Sequence, residues 1–182
     1  MTASKSMIDK NQHHKQALTL HHEIFILDAN LRILLPNNEQ RIIAIMIREL
    51  LMILKMEKLA SLQFFQATDM QAPGFSFIQP ITTSHISGHY FEKPGRFPHI
   101  HFDIYSCKRF SWKKIIPLLN NYLSFEKWSA NYIARSINFK RKYYEIRGKG
   151  QEILDVRCLS REALCLPGQQ TSAVITPLPS TI

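Results

Sequence analysis

The chain has 182 residues, 45% of them hydrophobic and 20% charged, with three cysteines and a formal net charge of +9. This length and composition fit one globular domain and exclude a wholly disordered chain. An odd number of cysteines without a Cys-x-x-Cys pair argues against a disulfide framework or a cysteine zinc site, and is typical of a cytoplasmic protein. The positive charge comes without a recognisable nucleic-acid motif, so we interpret it as a solvated basic surface. The most apolar stretch is too short and too charged to cross a membrane.

The hydrophobic pattern divides the chain into a flexible N-terminal segment (1–16), a folded domain (17–142) and a partly disordered C-terminal extension (143–182). Apolar residues at three- and four-residue spacings predict helices, and alternating or β-branched runs predict strands. Hairpin-length connections in the middle of the domain favour a mostly antiparallel sheet with helices on one face, an α+β two-layer sandwich. The predicted elements, in chain order, are a strand at 17–27, a helix at 39–60, strands at 62–68, 75–79, 85–91 and 99–106, a helix at 112–125 that Pro117 kinks or delays, and a strand at 128–137.

Residues able to perform covalent chemistry collect on neighbouring predicted strands. A serine, imidazoles and a thiol lie there without any metal-like cysteine spacing, which is compatible with a nucleophilic site. The alternative is a polar edge strand whose histidines bond to the backbone. His99 and His101 share a strand face, but two histidines without a third ligand are weak evidence for zinc, so we predict no metal site. The residues of this segment are Ser76, Ser84, His85, Ser87, His89 and Cys107.

The same segment resembles the core motif of the prokaryotic S-adenosylmethionine decarboxylases, which carry a pyruvoyl group. The run Thr82-Thr-Ser-His-Ile-Ser-Gly-His-Tyr-Phe-Glu92 is similar to the family's Ser-Glu-Ser-His-(Leu/Ile)-(Thr/Ser)-Ile-His-Thr-Trp-Pro-Glu. Phe102-Asp-Ile-Tyr-Ser-Cys107 resembles a strand that ends in Asp-(Leu/Ile)-Phe-Thr-Cys, and Pro73-Gly-Phe-Ser76 resembles Tyr-Gly-Val-Ser. The resemblance covers about residues 17–137.

The resemblance implies a role for each matching residue. Ser84 would attack the carbonyl of Thr83, cut the chain there and become a covalent pyruvoyl cofactor. His89 and Ser76 would assist this self-processing, and Cys107 would protonate the product carbon after decarboxylation. The implied protein is a homodimer with its sheets close together, whose product supplies aminopropyl groups for spermidine synthesis.

The substrate pocket is assigned by type of side chain. Aromatic rings would stack on adenine, and a carboxylate would hold a ribose hydroxyl or an amine. The candidates are His85, Phe75, Phe91 and Glu92, with Asp69 and Asp103 as alternatives to Glu92.

The sequence departs from the family motif at two positions near the cut. Thr83 stands where the family has glutamate, and Gly88 replaces an apolar residue, which predicts a weakened strand or a bulge beside His89. Two alternatives therefore stay open. One is a pyruvoyl decarboxylase of a basic amino acid such as ornithine or arginine, and the other is an unprocessed, non-catalytic binding or regulatory relative.

Overall fold

The computed structural model describes residues 21–36, 39–67, 73–93, 95–136 and 141–159. Within these ranges the chain forms two helices and an eight-stranded sheet. The helices are α1 Glu39–Leu54 and α2 Ile115–Leu123, the second preceded by a 3-10 turn at Trp112–Lys114. The strands are β1 His21–Leu31, β2 Gln63–Gln66, β3 Gly74–Ile81, β4 Ser84–Phe91, β5 His99–Ser106, β6 Phe125–Ser136, β7 Arg141–Lys149 and β8 Glu152–Cys158.

The sheet has the strand order β2-β3-β4-β5-β1-β6-β7-β8, and every neighbouring pair is antiparallel. The N-terminal strand β1 therefore lies in the centre, between β5 and β6. The predicted α+β sandwich with a mostly antiparallel sheet is confirmed.

One face of the sheet forms the core with the helices. Alternate residues of each strand point to that face, so Phe25, Leu27 and Ala29 of β1 are fully buried. The apolar stripe of α1, with Ile43 and Met46 among its buried residues, packs into the same cluster. At about 25 cal/mol per Å² of apolar surface, this shared burial is the main stabilisation of the fold.

The opposite face of the sheet, here called the open face, carries many polar side chains. On β5 the buried Ile100, Phe102 and Ile104 alternate with His99, His101, Asp103 and Tyr105, which remain partly or fully exposed. The neighbouring strands repeat the alternation, so histidine, serine and aspartate side chains of β4, β5 and β1 share this face.

The helix ends have local causes. Helix α1 stops at Leu54 rather than at residue 60, because Lys55 takes a left-handed φ of 53° and the Met56 N–H donates to the Leu51 carbonyl at 2.9 Å. This is the Schellman arrangement that closes helices. Helix α2 starts late, with Pro117 in its first turn, where a missing N–H costs no hydrogen bond.

The sheet continues beyond the last strand predicted from the sequence. β7 and β8 extend it from residue 141 to residue 158, so the boundary placed at 142 falls inside β7. The start of the predicted C-terminal extension is therefore part of the sheet. The weak signal has a physical reason, because β8 is an edge strand with mostly exposed side chains. The segment 1–16 and residues 160–182 lie outside the described ranges.

Candidate active site

The predicted cut falls in the turn between β3 and β4. Thr82 and Thr83 form the turn, and Ser84 opens β4 with a φ of 152°. Side chains rarely tolerate this backbone region, and holding one there costs about 1–3 kcal/mol. Among the described non-glycine residues, Lys55 and Ser124 also have positive φ, but near 50°, the ordinary value at a helix end. Of these three residues, Ser84 is therefore the one with the most strained backbone.

The carbonyl group before Ser84 is held by the neighbouring strand. The Cys107 N–H donates to the Thr83 carbonyl oxygen at 3.0 Å. The Thr83 hydroxyl lies 3.1 Å from the buried Ser106 hydroxyl, which itself accepts the Lys108 N–H at 2.9 Å. These contacts fix the Thr83 carbonyl, and the Cys107 N–H polarises it in the way that an oxyanion hole does.

Cys107 follows β5 directly and its side chain is exposed. Its Sγ lies 4.0 Å from Nε2 of His22 on β1, and Nδ1 of His22 is 2.8 Å from the Tyr105 hydroxyl. Arg135 of β6 donates to that hydroxyl at 3.1 Å. Because arginine can only donate, the Tyr105 O–H can donate to His22 Nδ1; in that arrangement the proton of a neutral His22 is on Nε2, facing the thiol.

Thr83, Ser84, Ser106, Cys107 and His22 are called the turn cluster below. Beside this cluster lies His85, whose Nδ1 is 3.2 Å from the Ser84 hydroxyl. Strands β4, β5 and β1 meet side by side at this end of the sheet, which is why residues more than 80 positions apart in the chain join there.

A second group, the strand pair, consists of Ser76 and His89. They face each other across β3 and β4, and the Ser76 hydroxyl lies 2.6 Å from His89 Nδ1. The ring of Phe91 packs on His89 with 4.1 Å between the ring centroids. Burial, and then the neighbouring His101, lowers the pKa of His89, so its imidazole is neutral at pH 7 and able to accept a proton.

The strand pair and the turn cluster are separate within one chain. His89 lies five residues along β4 from Ser84, which corresponds to about 16 Å at the rise of a strand. The two groups that the sequence analysis joined therefore cannot touch each other in a single protomer.

Of the predicted substrate residues, Phe75 is placed wrongly by the sequence analysis. It is fully buried and packs on Phe64 and Tyr90 in the core, because strand alternation sends it to the face opposite Ser76. His85 lies beside Ser84, and Phe91 lies beside His89.

The carboxylates take up different positions. Glu92 lies after β4 and, together with a larger effect of burial, raises the pKa of Glu39 at the start of α1. Asp103 lies on the open face, where burial, and then Asp28, raises its pKa. Asp69 lies outside the described residues. Asp103 is thus on the open face, while Glu92 lies beyond the end of β4, near Glu39 of α1.

Sequence reasoning did not identify His22, Tyr105 and Arg135 as neighbours of the site. Each belongs to a different strand, and their contact depends on β1 lying between β5 and β6. The alternation on β5 places Tyr105 on the open face, but no local signal names its partners.

The fold and the turn cluster define the class as a two-layer α+β protein with a serine hydroxyl beside a polarised carbonyl. A family model described as S-adenosylmethionine decarboxylase matches residues 34–136, more than half of the chain. The chain therefore belongs to the S-adenosylmethionine decarboxylase family. No curated protein matches it significantly. The matched range runs from the loop after β1 to the end of β6 and includes the strand pair and all of the turn cluster except His22.

Within the described residues, no helix is long and apolar enough to span a membrane.

Proposed function

We propose that this chain cuts itself between Thr83 and Ser84 and uses the resulting pyruvoyl group to decarboxylate S-adenosylmethionine. Membership of the family supports the decarboxylase class. The observation that carries the proposal is the strained Ser84 backbone next to a carbonyl that the Cys107 N–H polarises. Strain at this bond would be relieved by breaking it.

The processing step uses the chain's own atoms. Ser84 Oγ bonds to the Thr83 carbonyl carbon and gives up its proton; the C–N bond then breaks, leaving an ester and a free Ser84 amine. Loss of the Ser84 Cα proton breaks the Oγ–Cβ bond and releases the Thr83 carboxylate. The dehydroalanine left at position 84 takes up water and releases ammonia, which yields the pyruvoyl end. The Cys107 N–H would hold the oxyanion of the first step.

Threonine in place of the family's glutamate is compatible with this chemistry. Only the carbonyl of residue 83 reacts, and the Thr83 hydroxyl is held by Ser106, on the side of the turn next to β5. The β-branched side chain restricts the backbone further, which favours the fixed geometry needed for attack.

The turn cluster also suits the later reaction. The pyruvoyl group, once formed, would supply the electron sink for decarboxylation. Cys107 would hold the proton that the product carbon needs, with its Sγ facing the Nε2 proton of His22. Because Cys107 is exposed at the end of β5, it can deliver that proton to a molecule bound over Ser84.

The separation of the two groups supports a dimer in which each copy completes the site of the other. A neutral His89 can accept the proton of the Ser84 hydroxyl, but in one chain it is about 16 Å away. Two copies that pack their open faces about a two-fold axis would bring the strand pair of one towards the turn cluster of the other. Phe91, beside His89, would then offer its ring to the adenine of the substrate.

The decisive experiment is the intact mass of the purified protein under denaturing conditions. We expect fragments of about 10 and 11 kDa from the 21.2 kDa chain, with a blocked pyruvoyl end on the larger. Ser84→Ala is the matched control and should stay uncut. A wild-type chain that remains one species on long incubation would exclude self-processing and favour a non-catalytic relative.

The substrate is tested separately on the cut protein. Carbon dioxide release and borohydride trapping should occur with S-adenosylmethionine and not with ornithine or arginine. Labelling by ornithine or arginine alone would assign the chain to the decarboxylases of basic amino acids and leave self-processing intact.

A further inference from the structure

The open face carries a further cluster of polar side chains next to the strand pair. Asp28 lies on β1, and His99 and His101 lie on β5; the antiparallel register pairs Asp28 directly with His101. One potential ligand atom of each residue lies within 4.8 Å of the corresponding atoms of the other two. The third ligand that the sequence analysis did not find is therefore supplied by the neighbouring strand.

His99 is held in the form that binds metals. Its Nδ1 lies 2.8 Å from the Asn30 side-chain oxygen, which can only accept a hydrogen bond. The proton of a neutral His99 is therefore on Nδ1, and the lone pair of Nε2 is free. Metal-binding histidines are commonly oriented in this way by a second hydrogen bond.

His101 is held close to both other members. Its Nδ1 contacts the Asp28 carboxylate, and its ring meets that of His99 at 4.7 Å between centroids. The Phe91 ring lies edge-on to the His101 ring, with 5.4 Å between the two centroids. Two imidazoles and a carboxylate are thus gathered on one patch of a rigid central sheet.

We propose that Asp28, His99 and His101 bind a divalent transition-metal ion, for which Zn²⁺ is the probe. Two imidazoles and a carboxylate are a recurrent three-ligand set for zinc, with water as the fourth ligand. Hard cations such as Mg²⁺ prefer oxygen ligands and suit this set less well. Tetrahedral ligands at about 2.1 Å from zinc lie roughly 3.4 Å apart. The ion would therefore replace the direct contact between Asp28 and His101 Nδ1, which must open, while more widely spaced ligand atoms must close by about an ångström. Asp28 and His101 have 43% and 50% of their side-chain surface exposed, which leaves room for that rotation.

The test is zinc binding to the full chain after removal of metals with a chelator. Isothermal titration should give one tight equivalent per chain, counted by elemental analysis after dialysis. His99→Gln and His101→Gln should each weaken binding by more than the roughly 10- to 100-fold expected for a lost second-shell partner, and Asn30→Ala should fall within that range. His21→Gln, on the same strand as Asp28, is the matched control and should bind like the wild type.

The outcome does not depend on self-processing, because Ser84→Ala chains should bind the same equivalent. Circular dichroism checks that each variant is folded. If a variant does not fold, proton NMR of the wild type gives the answer, since zinc must shift the ring resonances of His99 and His101 and leave those of His21 in place. Binding that survives the double change His99→Gln and His101→Gln would overturn the proposal. So would binding that disappears when the adjacent His13 and His14 of the N-terminal segment (1–16) are changed to Ala, since those two histidines would then be the ligands.

Discussion

The two ends of β4 each hold a serine hydroxyl against a histidine Nδ1, in opposite backbone settings. Ser84 and His85 are neighbours in the chain, 3.2 Å apart, at a turn where Ser84 has a φ of 152°. Ser76 and His89 are neighbours across two regular strands, 2.6 Å apart. The same pair of side chains thus stands on strained backbone at the turn and in a regular ladder between β3 and β4, and the proposed function gives bond breaking to the first and proton transfer to the second.

The largest effect on self-cleavage should come from disabling one of the two pairs in each of two variant chains. His89→Ala should slow self-cleavage by about 10²- to 10⁴-fold, the usual contribution of a proton-transfer group, and Ser84→Ala should abolish it. Mixing the two variants by joint refolding should restore cutting of the His89→Ala chains. The measurement is the fraction of cut chain by denaturing mass analysis over time.

That mixture distinguishes two arrangements of the site. Rescue requires that the strand pair of one chain serve the turn of another. If the mixture stays as slow as His89→Ala alone, while wild-type chains are cut, the pair acts within its own chain or not at all.

A smaller effect is expected inside the turn cluster. His22→Phe keeps a ring beside Tyr105 but removes the N–H that faces Cys107. Loss of one hydrogen bond of about 0.5–1.5 kcal/mol should slow alkylation of Cys107 by about two- to tenfold. His21→Phe is the control on the same strand. An equal slowing in both variants would show that His22 has no specific effect on Cys107.

The middle of β4 should respond through packing rather than chemistry. A Cβ on Gly88 would lie 2.8 Å from the backbone carbonyl oxygen of His101 and within 2.7 Å of an atom of the Phe77 ring. Gly88→Ala should therefore cost about 1–3 kcal/mol in the free energy of unfolding, measured by urea denaturation. Gly95→Ala, where a Cβ meets nothing within 4 Å, is the matched control and should change stability by less than about 0.5 kcal/mol.

The smallest effect concerns the far end of β4. Burial, and then Glu92, raises the pKa of Glu39 above 4.5, so the folded chain binds more protons than the unfolded chain just above that pH. Stability contributed by Glu39 is therefore lowest at neutral pH and increases as the pH falls through the raised pKa. Glu92→Gln should raise the urea midpoint at pH 7, and its advantage should shrink towards pH 4.5. An advantage that is independent of pH would show that Glu92 acts through packing.

Local patterns were enough to predict most of the sheet and both helices. The alternation of Ile100, Phe102 and Ile104 sets the face that β5 buries, and the stripe of α1 sets its packing. The same rule applied to β3 would have corrected Phe75, because it shares parity with the buried Phe77 and Ile81. Gly88 keeps a regular register without a bulge, since its missing side chain makes room for the Phe77 ring.

The remaining features depend on contacts that are distant in the chain. Asp28 meets His101, and His22 meets Cys107, only because β1 pairs with β5. The φ of Ser84 depends on how the turn closes against β5, and a serine in the sequence gives no sign of it. Residue types suggest covalent chemistry at the turn, which stays a prediction; strand order decides which side chains lie there.

The central place of β1 has a consequence for a chain that is cut. A break after Thr83 would leave β1, α1, β2 and β3 on one piece and β4 to β8 on the other. β1 would still pair with β5 and β6, and β3 would still pair with β4. Three hydrogen-bonded ladders would therefore hold the two pieces together. Once unfolded, however, they would have to find each other in solution, and recovery would depend on concentration. Cutting would thus replace the unimolecular refolding of one chain by the reassembly of two pieces, which becomes slow and incomplete in dilute solution.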